Sequence, residues 1–191
     1  IMFKGTITPT SSGIGRFVSS ASTSNGFDVE GNAMFDKVCE ELDVSFKRIG
    51  STLDDAVGEA YDKVAKVCGL DYPGGPIVDK LSKLGEDTYD LPLPLDDNSY
   101  DFSFSGIKSA VINLIHNEKQ RGNEIRINDM CHSFQERVVS ILVKKTIRAV
   151  KEYNVKNLVL AGGVAANSYL RERMEKECQK NNINFSYPKL K

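Results

Sequence analysis

The stretch VKNLVLAGGVAANSYLRERMEKECQKNNINFSY (155–187) constrains the fold more than any other part of the chain. Val155 to Ala161 reads as a buried strand, Gly162-Gly163 as a tight turn, Ala165 to Gln179 as a helix, and Ile183 to Tyr187 as a second short strand. Strands joined through a helix are parallel neighbours, because a parallel pair needs a crossover connection, so the chain carries an α/β layered unit. A glycine turn between strand and helix also presents backbone N–H groups at a helix N-terminus, where no side chain blocks a phosphate or nucleoside. Gly162 and Gly163 are therefore either a nucleotide loop or turn glycines without a ligand, and the pair alone does not separate the two. Asn167, in the first turn of that helix, is placed to read a purine edge, or is an ordinary polar residue of a helix start.

The preceding sequence is mostly helical. Phe35, Val38, Cys39, Leu42 and Phe46 recur at helical spacing over 33–47. Thr52 with Asp55 makes a capping-box-like pair, and Gly69 stands where a C-cap belongs, which predicts a helix over 53–68. Its apolar face runs from Ala56 to Cys68, while Asp55, Glu59 and Asp62 stack on another face. Like charges at that spacing repel by roughly a few tenths of a kcal/mol, partly relieved by Lys66. The stripe is either a tolerated surface feature or a set of carboxylates aimed at ribose hydroxyls or a cation's water shell. Tyr72-Pro73-Gly74-Gly75-Pro76 is a rigid turn, followed by a helix that directs Ile77, Val78, Leu81 and Leu84 inward, keeps Asp79 on its polar side and ends at Gly85. Residues 86–99 are acidic and Pro-punctuated, which predicts an extended surface run. YDFSFS (100–105) alternates aromatic with polar, as in a half-buried strand or extended loop, ahead of a helix over 107–120. A long helix over 128–153 has Asn128 as its expected cap and Met130, Cys131, Phe134, Val138, Ile141, Leu142 and Val150 as its buried stripe. Residues 5–26, rich in Ser, Thr and Gly, read as loop or short edge strands, and part of that stretch is expected to be foreign to the fold.

Charge is asymmetric. Residues 1–102 hold 9 Lys+Arg against 18 Asp+Glu, and residues 103–191 hold 16 against 8. Either the two halves attract each other, or the basic half meets a polyanion. Lys144, Lys145, Arg148 and Lys151 form a basic end on the long helix, which also suits the helix dipole. No window approaches 18 uninterrupted apolar residues, and the N-terminus lacks a basic patch followed by an apolar run, so no membrane association and a cytoplasmic protein are expected. Cys39, Cys68, Cys131 and Cys178 form no C-x-x-C pair, and His116 and His132 stand apart from any ligand spacing. A thiolate metal site, a disulfide framework, a zincin motif and a G-x-S-x-G nucleophile elbow are thus all unsupported.

Three segments, in order, resemble one known family. GSTLDDAVGEAYDKVAKVCGLDYPGGPIVDKL (50–81), DFSFSGIKSAV (101–111) and LVLAGGVAANSYLR (158–171) are similar to the TsaD (Gcp, glycoprotease-like) family of tRNA adenosine threonylcarbamoyltransferases, formerly described as O-sialoglycoprotein endopeptidases. The likeness covers about residues 46–191 and leaves 1–45 unassigned. It implies an incomplete, helix-rich lobe of the actin/Hsp70-like (ribonuclease H-like) ATPase type. It also implies that Asp62, Gly75, Asp79 and Asn167 contact an adenylate substrate. Carboxylates accepting from ribose hydroxyls, a glycine permitting close approach and an amide pairing with adenine fit those positions chemically. FSFSG with Lys108 is a family hallmark whose role the sequence does not give.

The departures carry equal weight. The family's divalent metal, iron or zinc, is held by a His-x-x-x-His pair and an Asp in a TDNA-like segment; neither occurs here, and the SGGHT-type segment is missing. The resemblance therefore implies the central and C-terminal lobe of an acyltransferase that moves threonylcarbamoyl from an adenylate to an adenosine amine in tRNA, inactive as this chain alone and binding no metal. For the whole enzyme it implies an adenine nucleotide ligand, tRNA, a TsaB-like paralogue and a TsaE-like ATPase. The competing expectation is a non-catalytic actin-like module for nucleotide binding or dimerisation; a severed lobe leaves apolar surface that favours self-association into a homodimer.

Overall fold

A computed structural model of the chain describes residues 2–4, 16–18 and 48–188. Four short strands form one sheet in the order β2-β1-β3-β4: β1 Met2–Lys4, β2 Arg16–Val18, β3 Asn157–Val159 and β4 Asn184–Ser186. β3 and β4 are parallel, with Asn157 opposite Asn184 and Val159 opposite Ser186, as the helical crossover requires. β1 is antiparallel to β2 and β3 and pairs Met2 with Val159, so residues of the N-terminal stretch extend the same sheet. The helix expected over 33–47 lies outside the described residues.

Five α-helices follow among the described residues: α1 Val57–Val67, α2 Gly74–Ser82, α3 Ser105–Gln120, α4 Ile127–Glu152 and α5 Ser168–Lys180. The expected stripe of α4, from Met130 to Val150, is buried throughout and forms the spine against which α2 and α5 pack. The Tyr61 ring of α1 meets Phe134 of α4 edge-on, with centroids 5.1 Å apart. Each fully buried apolar side chain of this kind contributes about 1.5–3 kcal/mol of transfer free energy, which is what holds the five helices together.

Several boundaries differ from the sequence expectation, each for a local reason. α1 starts at Val57 rather than at 53, because Thr52 bridges Phe102 in parallel and gives its hydroxyl to the Asp55 carbonyl at 2.8 Å. Its C-terminus is as expected: the Leu70 N–H reaches the Ala65 carbonyl at 2.9 Å while Gly69 takes φ +75°. α2 ends at Ser82, and Leu84 is 69% exposed rather than inward. α4 is preceded by Arg126 instead of being capped by Asn128; Asp129 accepts instead from the Glu86 N–H at 3.0 Å and Thr88 Oγ1 at 3.1 Å. The helix expected from 165 is two elements, a short 3-10 turn over Gly163–Ala166 and then α5.

The FSFSG segment acquires a role. Phe102 and Phe104 are buried and stack with rings 8° from parallel, while Ser103 and Ser105 point the other way and donate to the Asp54 carboxylate. Asp54 also accepts the Phe104 N–H at 2.7 Å, so it serves as the N-terminal cap of α3 from another segment. Burial alone would raise its pKa, but the two hydroxyls and the N–H groups of Phe104 and Ser105 outweigh burial and hold the carboxyl below its ordinary 3.8. Lys108, one turn into α3, pairs with Asp55 at 3.0 Å, and Lys63 pairs with both Asp55 and Glu59 at 2.7 Å. Asp55 and Glu59 of the acidic stripe are thus neutralised by Lys63 and Lys108 rather than by Lys66.

The charge asymmetry resolves internally. The acidic run after α2 crosses the basic half of α4: Arg137 pairs with Asp87 at 2.9 Å, Lys144 with Asp96 at 2.6 Å and Lys145 with Asp97 at 2.7 Å, while Arg148 donates to the carbonyls of Asp97, Asn98 and Ser99. Lys145 is only 1% exposed and also donates to the Asp101 carbonyl at 2.6 Å. With Ser99 it holds Asp97 down to about 2. Three of the four cations expected at that helix end therefore bind an acidic strap.

Two outcomes test these roles. Asp54→Asn should lower unfolding free energy by about 1–3 kcal/mol in denaturant titrations. Because the folded carboxyl titrates below its unfolded value, that difference should be full above about pH 4 and shrink as pH falls through the folded pKa. Lys145→Ala, which strands the Asp101 carbonyl and removes buried stem, should cost about 2–4 kcal/mol in the same assay, and Lys144→Ala, an exposed pair, at most about 1 kcal/mol.

Candidate functional site

One cleft of about 1040 Å³ opens between α1, α2 and the turn that follows β3. Asp62, Gly75, Asp79, Gly162, Gly163 and Asn167 all line it. They come from three separate segments of sequence, and the packing of α1, α2 and α5 on α4 brings them together. Val57, Leu142, Leu160 and Leu170 supply apolar wall, so the cleft combines a dry surface with a few convergent polar groups.

Each polar residue is held. Asp62, in the middle of α1, accepts the Gly74 N–H at 2.7 Å through Oδ1, which ties α1 to the first residue of α2. The two helices cross so closely there that a Cβ on Gly74 would lie 2.5 Å from the Ala65 Cβ. A Cβ on Gly75, one residue on, would meet nothing within 4 Å, so that face of the α2 start is open to the cleft. Gly162 has φ +95°, a conformation that favours glycine, and a Cβ at 162 or 163 would likewise meet nothing.

Asn167 is the N-cap of α5, immediately before its first turn. Its Oδ1 accepts the Leu170 N–H at 2.8 Å, and its Nδ2 donates to Gln135 Oε1 at 2.8 Å. Asp79 reaches the same helix end from α2: Oδ2 accepts the Ser168 N–H at 3.1 Å and hydroxyl at 2.8 Å, and Oδ1 lies 3.5 Å from the Tyr169 nitrogen. The N–H groups of Ser168, Tyr169 and Leu170 at the head of α5 are thus taken by side chains of the protein. Capacity remains on the side chains themselves. Asn167 retains one amide hydrogen and one carbonyl lone pair, the complement of an adenine edge, and Asp62 retains its second carboxylate oxygen.

Behind these groups stands Gln135, which no sequence motif marks. It is 2% exposed, on the buried face of α4. Its Oε1 also accepts from the Tyr61 hydroxyl at 3.3 Å, and its Nε2 donates to Ser82 Oγ at 2.7 Å and Asp79 Oδ1 at 3.3 Å. Burial and the neighbouring Asp79 push the Tyr61 phenol far above its ordinary pKa of 10, so it stays protonated and donating. In sequence Gln135 is marked only by its place, four residues after Cys131 and seven before Leu142, a polar residue on the apolar stripe.

The other candidates are structural. His116 is exposed, and His132 Nδ1 lies 2.8 Å from the Ser82 carbonyl. Burial pushes Cys131 up to about 12 and Cys68 and Cys178 to about 11, so none is a reactive thiolate. Among the described residues no three His, Cys, Asp or Glu side chains gather in a way that would hold a metal ion, and no helix is long and apolar enough to cross a membrane.

Residues 38–191 match the family model for TsaD, tRNA N6-adenosine threonylcarbamoyltransferase. The chain belongs to the TsaD family. Curated TsaD proteins of the same name are similar throughout this region. One from Staphylococcus saprophyticus is 58% identical over 149 residues, which is 78% of this chain and 44% of that protein. One from Bacillus cereus is 59% identical over 148 residues, 76% and 43% of the respective chains. The chain spans less than half the length of these TsaD relatives. Among solved structures, T. kodakarensis HypF superposes with a TM-score of 0.52 at 15% identity, covering 84% of this chain and 20% of that one, a likeness of fold alone.

The two adjacent glycines separate fold from site. Gly74→Ala should cost about 1–3 kcal/mol by forcing α2 off α1. Gly75→Ala should leave thermal stability unchanged or raised by up to about 1 kcal/mol, as for glycine to alanine in a helix, while narrowing the cleft. Melting curves of the two variants beside the parent check both.

Proposed function

We propose that this chain is the nucleotide-holding lobe of a tRNA N6-adenosine threonylcarbamoyltransferase, and that the cleft binds the adenylate half of the acyl donor. The observation that carries this reading is the convergence of Asp62, Gly75, Asp79, Gly162, Gly163 and Asn167 around one hollow in a chain of the TsaD family. In this reading Asp62 and Asp79 accept from ribose hydroxyls, the open faces of Gly75, Gly162 and Gly163 admit the nucleoside, and Asn167 pairs with the purine edge. The lobe is of the actin/Hsp70-like ATPase type, one of two that would enclose the nucleotide.

The reaction is acyl transfer. The adenosine amine of tRNA attacks the threonylcarbamoyl carbonyl carbon, the carbon–oxygen bond to the adenylate phosphate breaks, and adenosine monophosphate leaves with its phosphate. The contribution of this lobe is to fix the nucleotide so that the carbonyl is presented in one orientation. A divalent metal, iron or zinc, would serve the whole enzyme; among the described residues no three side chains gather in a way that would hold it. The whole enzyme works in the cytoplasm with tRNA, a TsaB-like paralogue and a TsaE-like ATPase. Because Lys144, Lys145 and Arg148 bind the acidic strap, the tRNA backbone would be met by other cations.

Titration of the chain with adenosine monophosphate tests the reading. The parent should bind, and Asp62→Ala and Asn167→Ser should each weaken binding about tenfold or more, the loss of one good polar contact. Serine keeps the N-cap of α5, so a loss at 167 reports the amide rather than the helix. Equal affinity in all three proteins overturns the assignment.

A further inference from the structure

The cleft has a second layer, and one residue of it touches every polar group that faces the hollow from the α5 side. Gln135 uses its whole amide. Oε1 accepts from Asn167 Nδ2 at 2.8 Å and the Tyr61 hydroxyl at 3.3 Å; Nε2 donates to Ser82 Oγ at 2.7 Å and Asp79 Oδ1 at 3.3 Å. A primary amide offers two acceptor sites and two donors, and all four are matched to partners on α1, α2 and the turn before α5. The residue is 2% exposed, so water does not replace a lost partner.

This arrangement fixes orientation, not only position. Asn167 has two ways to face its amide. The Leu170 N–H requires the oxygen on the α5 side, and Gln135 Oε1 requires the nitrogen on the α4 side, so both ends agree on one rotamer. Asp79 is gripped at Oδ2 by Ser168, at 2.8 Å from the hydroxyl, whereas its Oδ1 is held only by the longer contacts to Gln135 and Tyr169. Gln135 therefore sets which edge of Asn167 is left for a ligand and helps to hold the Asp79 carboxylate in place.

We propose that Gln135 is a positioning residue of this cleft: through one buried amide it locks the Asn167 carboxamide and the Asp79 carboxylate into the single pairing pattern that a purine nucleoside monophosphate can use. The inference rests on the nucleotide reading for its ligand, but the lock itself is a property of the free chain.

The test uses the 191-residue chain with two readouts. The first needs no ligand: solvent exchange, by NMR, of the Asn167 side-chain amide proton that is bonded to Gln135 Oε1. Exchange should be slow in the parent and at least tenfold faster in Gln135→Met, which keeps volume and removes both functions, while backbone amides across the middle of α4 stay protected. The second is affinity for adenosine monophosphate, expected to fall at least tenfold in Gln135→Met. Gln135→Glu supplies the rescue arm. Facing Asp79, it should bind poorly at pH 8 and recover toward the parent at pH 5.5, where a protonated carboxyl donates as the amide did. Tyr61 also faces this site and His132 lines the adjoining hollow, so each variant is compared with the parent at the same pH. Unchanged Asn167 exchange in Gln135→Met overturns the proposal, as does unchanged affinity alongside faster exchange. A parent that binds no adenosine monophosphate overturns the nucleotide reading instead, and the exchange measurement then decides by itself whether the lock exists.

Discussion

The Asp79 carboxylate against the head of α5 is the interaction on which the site depends. α2 and α5 are separated by 89 residues between Asp79 and Ser168, yet the Ser168 N–H and hydroxyl both find Asp79 Oδ2. A helix start carries orphan N–H donors and the positive end of its dipole, and a carboxylate answers both. The contact fixes the distance between the glycine-rich start of α2 and the turn after β3, which is the width of the cleft. Asp62 does the same between α1 and α2 through the Gly74 N–H. Two carboxylates thus act first as architecture, and both line the hollow.

Electrostatics elsewhere in the molecule follows the same pattern of internal pairing. Half of the chain is acidic and half basic, a distribution that in sequence reads equally as an invitation to a polyanion. In the fold, the acidic run after α2 lies along the basic end of α4, and a lysine whose charge is almost fully withdrawn from water, Lys145, anchors it. Pairing of this kind is satisfied before any partner arrives.

Much of this was legible in sequence because it is periodic. The apolar stripe of α4, the C-terminal glycine of α1, and the strand-turn-helix-strand order that yields a parallel β3 and β4 all follow from spacing alone. The six residues singled out for the site do line one cleft. What was not legible is long-range. The N-terminus of α1 shifted because Thr52 found Phe102 fifty residues away, and the cap of α3 is Asp54, which no local pattern reveals. Leu84 looked inward by helical count, but α2 had already ended. Gln135 was passed over because a single polar residue in a hydrophobic stripe carries no motif; only coordinates show that four partners converge on it.

The capped head of α5 sets the charge that faces the hollow. A helix start normally welcomes anions, but here the place is filled by a resident negative charge. An incoming phosphate approaching that end meets repulsion, whereas an uncharged heterocycle meets the amide of Asn167. The rim is therefore polarised, and a guest with one charged and one neutral end would meet it favourably in only one sense, with its charge held away from Asp79.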